Sequence, residues 1–299
     1  MVRFTVLASG SKGNCTVLSC GRTRILVDAG LSCRELFRRM KLAGEEPTTL
    51  NAIIITHEHQ DHVNGLAVTA RKLGIPVYFT EGTHRAWMRW LQLRRQMTYA
   101  QWLEMIRKQA AERQAEPQAA VGEIDSPEDP GEVAVENSVP SAVPVPTDPA
   151  PEPSSGRPPT LKDDPTWLPA IEYFSAGQPF SIGDICVNPF TIPHDAADPV
   201  GFVFSSEGVR LGFATDLGYI PPNVREQLRD LDLLLLESNH DLEMLRDGPY
   251  PLSVKQRVLS RVGHLSNDAA SQFLAADYDG QAAYVILGQQ HEPLSAISF

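Results

Sequence analysis

Cysteine is scarce in this chain, and what there is does not pair. Cys15, Cys20, Cys33 and Cys186 are the only four among 299 residues, and no Cys-x-x-Cys occurs. Three lie near the start and one far away. That spacing excludes a disulfide framework and predicts small buried thiols in a reducing, cytoplasmic setting. Long apolar runs are missing as well; none reaches the ~18–20 residues that a membrane-spanning helix needs. The opening stretch Met1-Val2-Arg3-Phe4-Thr5-Val6-Leu7 is too short and too soon polar to read as a signal peptide. No Gly-x-Ser-x-Gly elbow and no Gly-x-x-x-x-Gly-Lys-[Ser/Thr] loop occurs, which argues against a serine triad and a phosphate-loop nucleotidase.

Positive charge is also in short supply. With 26 Lys/Arg against 37 Asp/Glu the net charge is −11, which weighs against a nucleic-acid partner. The location of the acid removes that objection. Residues Glu116 to Pro165 hold eleven Asp/Glu, two Lys/Arg and twelve of the 24 prolines, a net of −9 that leaves −2 for the rest. Such a segment cannot bury enough apolar surface to offset the entropy of ordering it. The expectation is a single domain over 1–299, interrupted by a disordered insertion at 116–165.

Strand and helix patterns alternate on either side of it. Apolar runs predict strands at 4–8, 15–19, 24–28, 52–56 and 76–80, then at 185–192, 201–205, 209–215, 231–236 and 282–287. Helical spacing predicts helices at 34–42, 63–73, 83–113 and 268–276, with another starting near Pro221-Pro222. The pattern is α/β, with two sheets sandwiched between helices and each half of the chain giving one sheet.

What is present in abundance is concentrated in six residues. His57-Glu58-His59-Gln60-Asp61-His62 reads His-x-His-x-Asp-His and follows the apolar run Ala52-Ile53-Ile54-Ile55. Three of the eight histidines cluster here, where a strand end can aim them into one space. Imidazole suits zinc and related ions, and a carboxylate suits a harder position. Four such side chains are too many for one tetrahedral ion, so the spacing points to two metals. Later strands also end in metal-capable residues: Arg24–Val27 in Asp28, Val187–Ile192 in Pro193-His194-Asp195, and Arg210–Thr215 in Asp216. Convergent strand ends are where α/β scaffolds place chemistry.

Asp28, the His57–His62 cluster, His194 and Asp216 occur in an order that resembles the metallo-β-lactamase fold. The chain is most similar to the bacterial YycJ/WalJ-like branch of that superfamily. Ala8-Ser9-Gly10-Ser11-Lys12-Gly13-Asn14-Cys15, Pro193-His194-Asp195-Ala196-Ala197-Asp198-Pro199 and Ala214-Thr215-Asp216-Leu217-Gly218 carry the resemblance, with Leu236-Glu237-Ser238-Asn239-His240-Asp241 and Gly263-His264-Leu265-Ser266-Asn267. It covers about 1–88 and 168–288 and implies an αββα sandwich holding two divalent ions, zinc or manganese.

By that resemblance His57, His59 and His194 hold the first ion, Asp61 and His62 help hold the second, and Asp216 bridges them. Such a pair lowers the pKa of a shared water and clamps the attacked group. Asp61 would orient the resulting hydroxide and handle its proton, and Asp28 would orient a ligand imidazole. His264 would touch the scissile phosphate or move in as a substitute ligand. His240 is placed to face the site. Ser9, Ser11 and Asn14 lie in a Gly-rich loop whose amides could cradle a phosphate oxygen. The departure is at the end: the family pattern puts a last histidine after the final strand, and here Gly288 runs into Gln289-Gln290-His291. His291 sits three residues late, so the second ion's site is the doubtful one.

The implied function is metal-dependent phosphodiester hydrolysis of nucleic acid, most closely a DNA exonuclease. Two alternatives stay open: a thioester or lactone hydrolase on the same metal core, and a non-catalytic regulatory protein with a degenerate second site.

Overall fold

The computed structural model describes residues 1–96, 164–278, 280, 282–288 and 295–298. The predicted insertion lies outside the described residues up to 163. Asp164 and Pro165, at its composition-based end, are described and tied down. Arg71 donates to the carbonyls of Pro165 at 2.7 Å and Trp167 at 3.0 Å.

The first stretch runs β1 (Val2–Ala8), β2 (Cys15–Cys20), β3 (Thr23–Val27), α1 (Cys33–Leu42) and β4 (Ala52–Ile54), then α2 (Gln60–Val63), α3 (Leu66–Leu73), β5 (Pro76–Phe79) and α4 (Glu81–Gln96). The second runs β6 (Ala170–Tyr173), β7 (Phe180–Ile182), β8 (Ile185–Thr191), β9 (Val200–Ser206), β10 (Val209–Ala214), α5 (Pro222–Gln227) and β11 (Leu233–Glu237). It continues through α6 (Leu242–Asp247), α7 (Leu252–Val258) and α8 (Asn267–Gln272) to β12 (Tyr284–Gly288) and β13 (Ser295–Ser298).

These strands form two sheets, one of seven in the order β13-β1-β2-β3-β4-β5-β6 and one of six in the order β12-β11-β10-β9-β8-β7. The expectation of one sheet per half holds for most of the chain. It fails for β6 and β13, which return from the second half to the two edges of the first sheet.

Side-chain alternation along each strand builds four layers. Ile25 and Val27 point between the sheets with Phe4 and Ile54, against Phe202, Phe204 and Leu235 of the second sheet. Leu26, Ile53 and Val77 point the other way, onto Leu36 and Met40 of α1, Leu66 and Ala70 of α3, and Trp87 of α4. On the far side Leu234 and Leu236 meet Val224 of α5 and Ala270 of α8. Strands covered on both faces need apolar residues at every position, hence Ile53-Ile54 and Leu233–Leu236.

Strand direction then positions the chemistry. β3, β4, β5 and β6 run parallel, as do β10, β11 and β12, so their carboxyl ends line up. Ala214 pairs with Leu236, and Glu237 with Gly288, in one row. The two rows are joined where the Val200 amide donates to the Thr56 carbonyl at 3.1 Å.

Candidate metal centre

The segment after β4 is held open by a buried carboxylate. Asp28 follows β3 with φ of 60°, and Asp216 follows β10 at 58°. Few residue types other than glycine tolerate that left-handed backbone, and Asp is one of them. At Asp28 the turn swings the carboxylate under the neighbouring strand. It accepts from the Thr56 amide at 2.9 Å, from Thr56 Oγ1 at 2.9 and 3.1 Å, and from His62 Nδ1 at 2.8 Å. Burial pushes the Asp28 carboxyl up from its ordinary value, against the pull of His62.

Three imidazoles meet beside it. The ring centroids of His57, His59 and His194 stand 4.6, 4.8 and 4.9 Å apart, nearly an equilateral triangle. One nitrogen from each lies within 4.8 Å of the others. Outer hydrogen bonds fix two of the rings: His57 Nδ1 meets Thr56 Oγ1 at 3.0 Å, and His194 Nδ1 meets the Gly263 carbonyl at 3.2 Å. His57 Nε2 is buried and has no hydrogen-bond partner. A buried ring nitrogen left in that state is costly unless something else satisfies it. Neutral imidazole is the ligand form, and burial holds His57 well below its ordinary value and His194 down at about 4. Donor type, spacing and the unsatisfied Nε2 all fit a cation here.

The second group is His57, His62 and Asp216, whose donor atoms also converge within 4.8 Å. His62 Nε2 lies 3.3 Å from Asp216 Oδ2 and 3.5 Å from Asp61 Oδ2. Burial opposes charging the His62 ring, but Asp216, Asp28 and Asp61 outweigh it and hold its pKa well above the ordinary value. This donor set could take a second cation in place of that proton. Among the described residues no further histidine joins this set, and His291 lies outside them.

The third group, Asp216, Glu237 and His264, contains the residue that sequence reasoning missed. Glu237 is fully buried at the end of β11 and accepts from His264 Nδ1 at 2.7 Å. It also accepts from the amides of Leu217 at 2.8 Å and Leu265 at 3.2 Å, and so ties the Asp216 loop to the His264 loop. Its only mark in the sequence is that it closes the apolar run Leu233–Leu236; the pairing with His264 leaves none. Burial lowers the His264 pKa, but Glu237 and Asp216 outweigh it and raise the value overall.

The remaining candidates divide. Asn14 enters the site, but by its side chain: Nδ2 donates to Asp61 Oδ2 at 3.1 Å and lies 2.9 Å from His62 Nε2. The amides of Gly10, Gly13 and Asn14 are engaged by protein acceptors, so these three do not form the expected phosphate cradle. Ser11 is exposed, and Ser9 Oγ lies against Gly288, 3.0 Å from where a Cβ there would stand. His240 belongs to none of the three donor groups; both its ring nitrogens are buried without hydrogen-bond partners, and His264 is close enough to lower its pKa after burial.

A four-layer αββα sandwich with histidines and carboxylates converging at the strand ends defines the class. The chain belongs to the metallo-beta-lactamase superfamily, whose family model matches residues 8–252. It is 30% identical over 286 residues to exodeoxyribonuclease YycJ of Bacillus anthracis, covering 96% of this chain and 81% of the relative. Exodeoxyribonuclease WalJ of Streptococcus pneumoniae is 28% identical over the same length, covering 96% and 80%. Among solved structures, Zn(2+)-bound PqqB from Methylobacterium extorquens shares the fold with a TM-score of 0.57 at 12% identity, over 96% of this chain and 88% of that one. The chain is therefore a metallo-hydrolase by fold and family. Among the described residues no helix is long and apolar enough to cross a membrane.

Proposed function

We propose that this protein is a metal-dependent phosphodiesterase that degrades DNA as an exonuclease. The observation that carries the reading is the pairing of two devices across Asp216: the three-imidazole cluster on one side and the Glu237–His264 pair on the other. Similarity to relatives named exodeoxyribonucleases gives the substrate class.

His57, His59 and His194 would hold the first divalent ion, zinc or manganese, and Asp61, His62 and Asp216 the second. Bound there, such ions lower the pKa of water and neutralise phosphoryl charge. The protein's own groups do the rest. Asp61, partly exposed at the edge of the cluster, is placed to accept a proton from water. Glu237 holds His264 by Nδ1, which turns Nε2 away from the pair and leaves it free to donate. A protonated His264 can then give a hydrogen bond or a proton to the leaving oxygen.

Asp61→Ala separates chemistry from fold, because this side chain is only partly buried. Pure Asp61→Ala protein should lose metal-dependent DNA degradation while keeping the wild-type melting temperature. Undiminished degradation by the variant would sink the proposal.

A further inference from the structure

Arg257 stands beside the donor groups, in the last turn of α7 and seven residues before His264. Its Nε and Nη2 grip the two oxygens of Asp195 at 2.5 and 3.1 Å. Asp195 follows His194 in sequence, and its Oδ1 is 3.5 Å from His194 Nε2 and 3.7 Å from His59 Nε2. The guanidinium therefore lies just outside the three-imidazole cluster, within electrostatic reach of both Asp61 and His264. Three hydrogen bonds fix its surroundings: Asp195 N to Val262 O at 3.0 Å, His264 N to Val258 O at 2.9 Å, and His194 Nδ1 with Gly263 O at 3.2 Å. The Arg257 side chain is 47% exposed, so an incoming ligand can reach it.

We propose that Arg257, presented by Asp195, is a phosphate-binding residue that takes the backbone phosphate next to the scissile one. The inference rests on the phosphodiesterase reading. A guanidinium binds two-oxygen anions through a planar fork; Asp195 takes the Nε–Nη2 edge, and the Nη1–Nη2 edge can take the two free oxygens of a phosphodiester. The neighbouring histidines are crowded with acids, Asp61, Asp195, Asp216 and Glu237. A polyanion entering there needs a fixed positive group beside them. Arg261, four residues further on, lies over the Tyr219 ring at 4.4 Å, three residues past Asp216.

The test uses metal-loaded wild type, Arg257→Gln and Arg257→Lys. Binding of a nuclease-resistant phosphorothioate oligodeoxynucleotide is followed across salt concentrations. Hydrolysis of DNA is compared with that of bis(p-nitrophenyl) phosphate, which has no neighbouring phosphate. Arg257→Gln should weaken oligonucleotide binding about tenfold and reduce the slope of log K against log salt by about 1. Its loss of kcat/KM on DNA, carried mainly by KM, should exceed its loss on the small diester. Arg257→Lys should recover the salt slope and only part of the affinity, since it keeps the charge and lacks the fork; it also carries the test should the Gln variant fold poorly. An unchanged salt slope with equal losses on both substrates overturns the phosphate site and leaves the nuclease reading standing. Wild type that hydrolyses the small diester but neither binds nor degrades DNA overturns the nuclease reading, and the phosphate site with it.

Discussion

Single residues set the ligand geometry here, and Asp28 does so without being placed to touch an ion. It holds His62 Nδ1 and the Thr56 hydroxyl, and that hydroxyl in turn meets His57 Nδ1. One carboxylate thereby fixes two imidazoles belonging to two donor groups. Asparagine keeps the size of the side chain and tolerates the φ of 60°, but it lacks the charge that three donors share. Asp28→Asn should lower metal affinity by about 10–100-fold, as measured by competition with a chromophoric chelator. An affinity equal to wild type would show that the carboxylate only supports the turn. The clustering of His57, His59 and His62 was legible from spacing because His-x-His-x-Asp-His needs no tertiary information. Glu237 and Arg257 were not, because each gains its meaning from a partner far along the chain or across a loop: Glu237 from His264, and Arg257 from Asp195. Asn14 was singled out for its backbone, whereas the fold uses its amide side chain.

At the scale of elements, most apolar patterns were read correctly and several short elements were missed. The core strands and α1 sit where alternation and helical spacing put them. β6 and β7, of four and three residues, and the six- and seven-residue α6 and α7 carry too little periodicity to stand out. The helix expected over 63–73 starts instead at Leu66 as α3, and Asn64-Gly65 separates it from the short α2 that precedes it. The cause is a close approach: the Gly65 amide donates to the Ala29 carbonyl at 2.8 Å, and a Cβ at Gly65 would lie 1.9 Å from the Leu31 carbonyl oxygen. This contact docks the segment carrying Asp61 and His62 onto the Asp28 turn, so the break is what brings the two together. Gly65→Ala should destabilise the protein by about 3 kcal/mol or more, seen as a lower urea midpoint. Gly74, with open space around its Cβ position, is the control and should cost only about 1–2 kcal/mol for its left-handed φ. Equal effects at the two glycines would refute the docking role.

For the whole molecule, the sandwich works as a frame that brings two rows of strand ends together. Asp28 and the His57–His62 segment come from the first sheet; His194, Asp216 and Glu237 come from the second. The His57-His59-His194 and His57-His62-Asp216 groups each draw on both rows, so they depend on the packing of Phe4, Ile25 and Ile54 against Phe202 and Leu235. The two-sheet plan was readable from alternating element patterns. The return of β6 and β13 to the first sheet was not, since pairing partners at an edge leave no local mark. The central claim is that this frame holds a metal through His57, His59 and His194. Elemental analysis of protein purified without chelator tests it most directly, on wild type and on His57→Ala. The account predicts at least one zinc or manganese ion per folded wild-type chain, two if Asp61, His62 and Asp216 also hold one, and a clear loss in the variant. Wild-type protein free of such ions, or a His57→Ala variant with undiminished content, would contradict it.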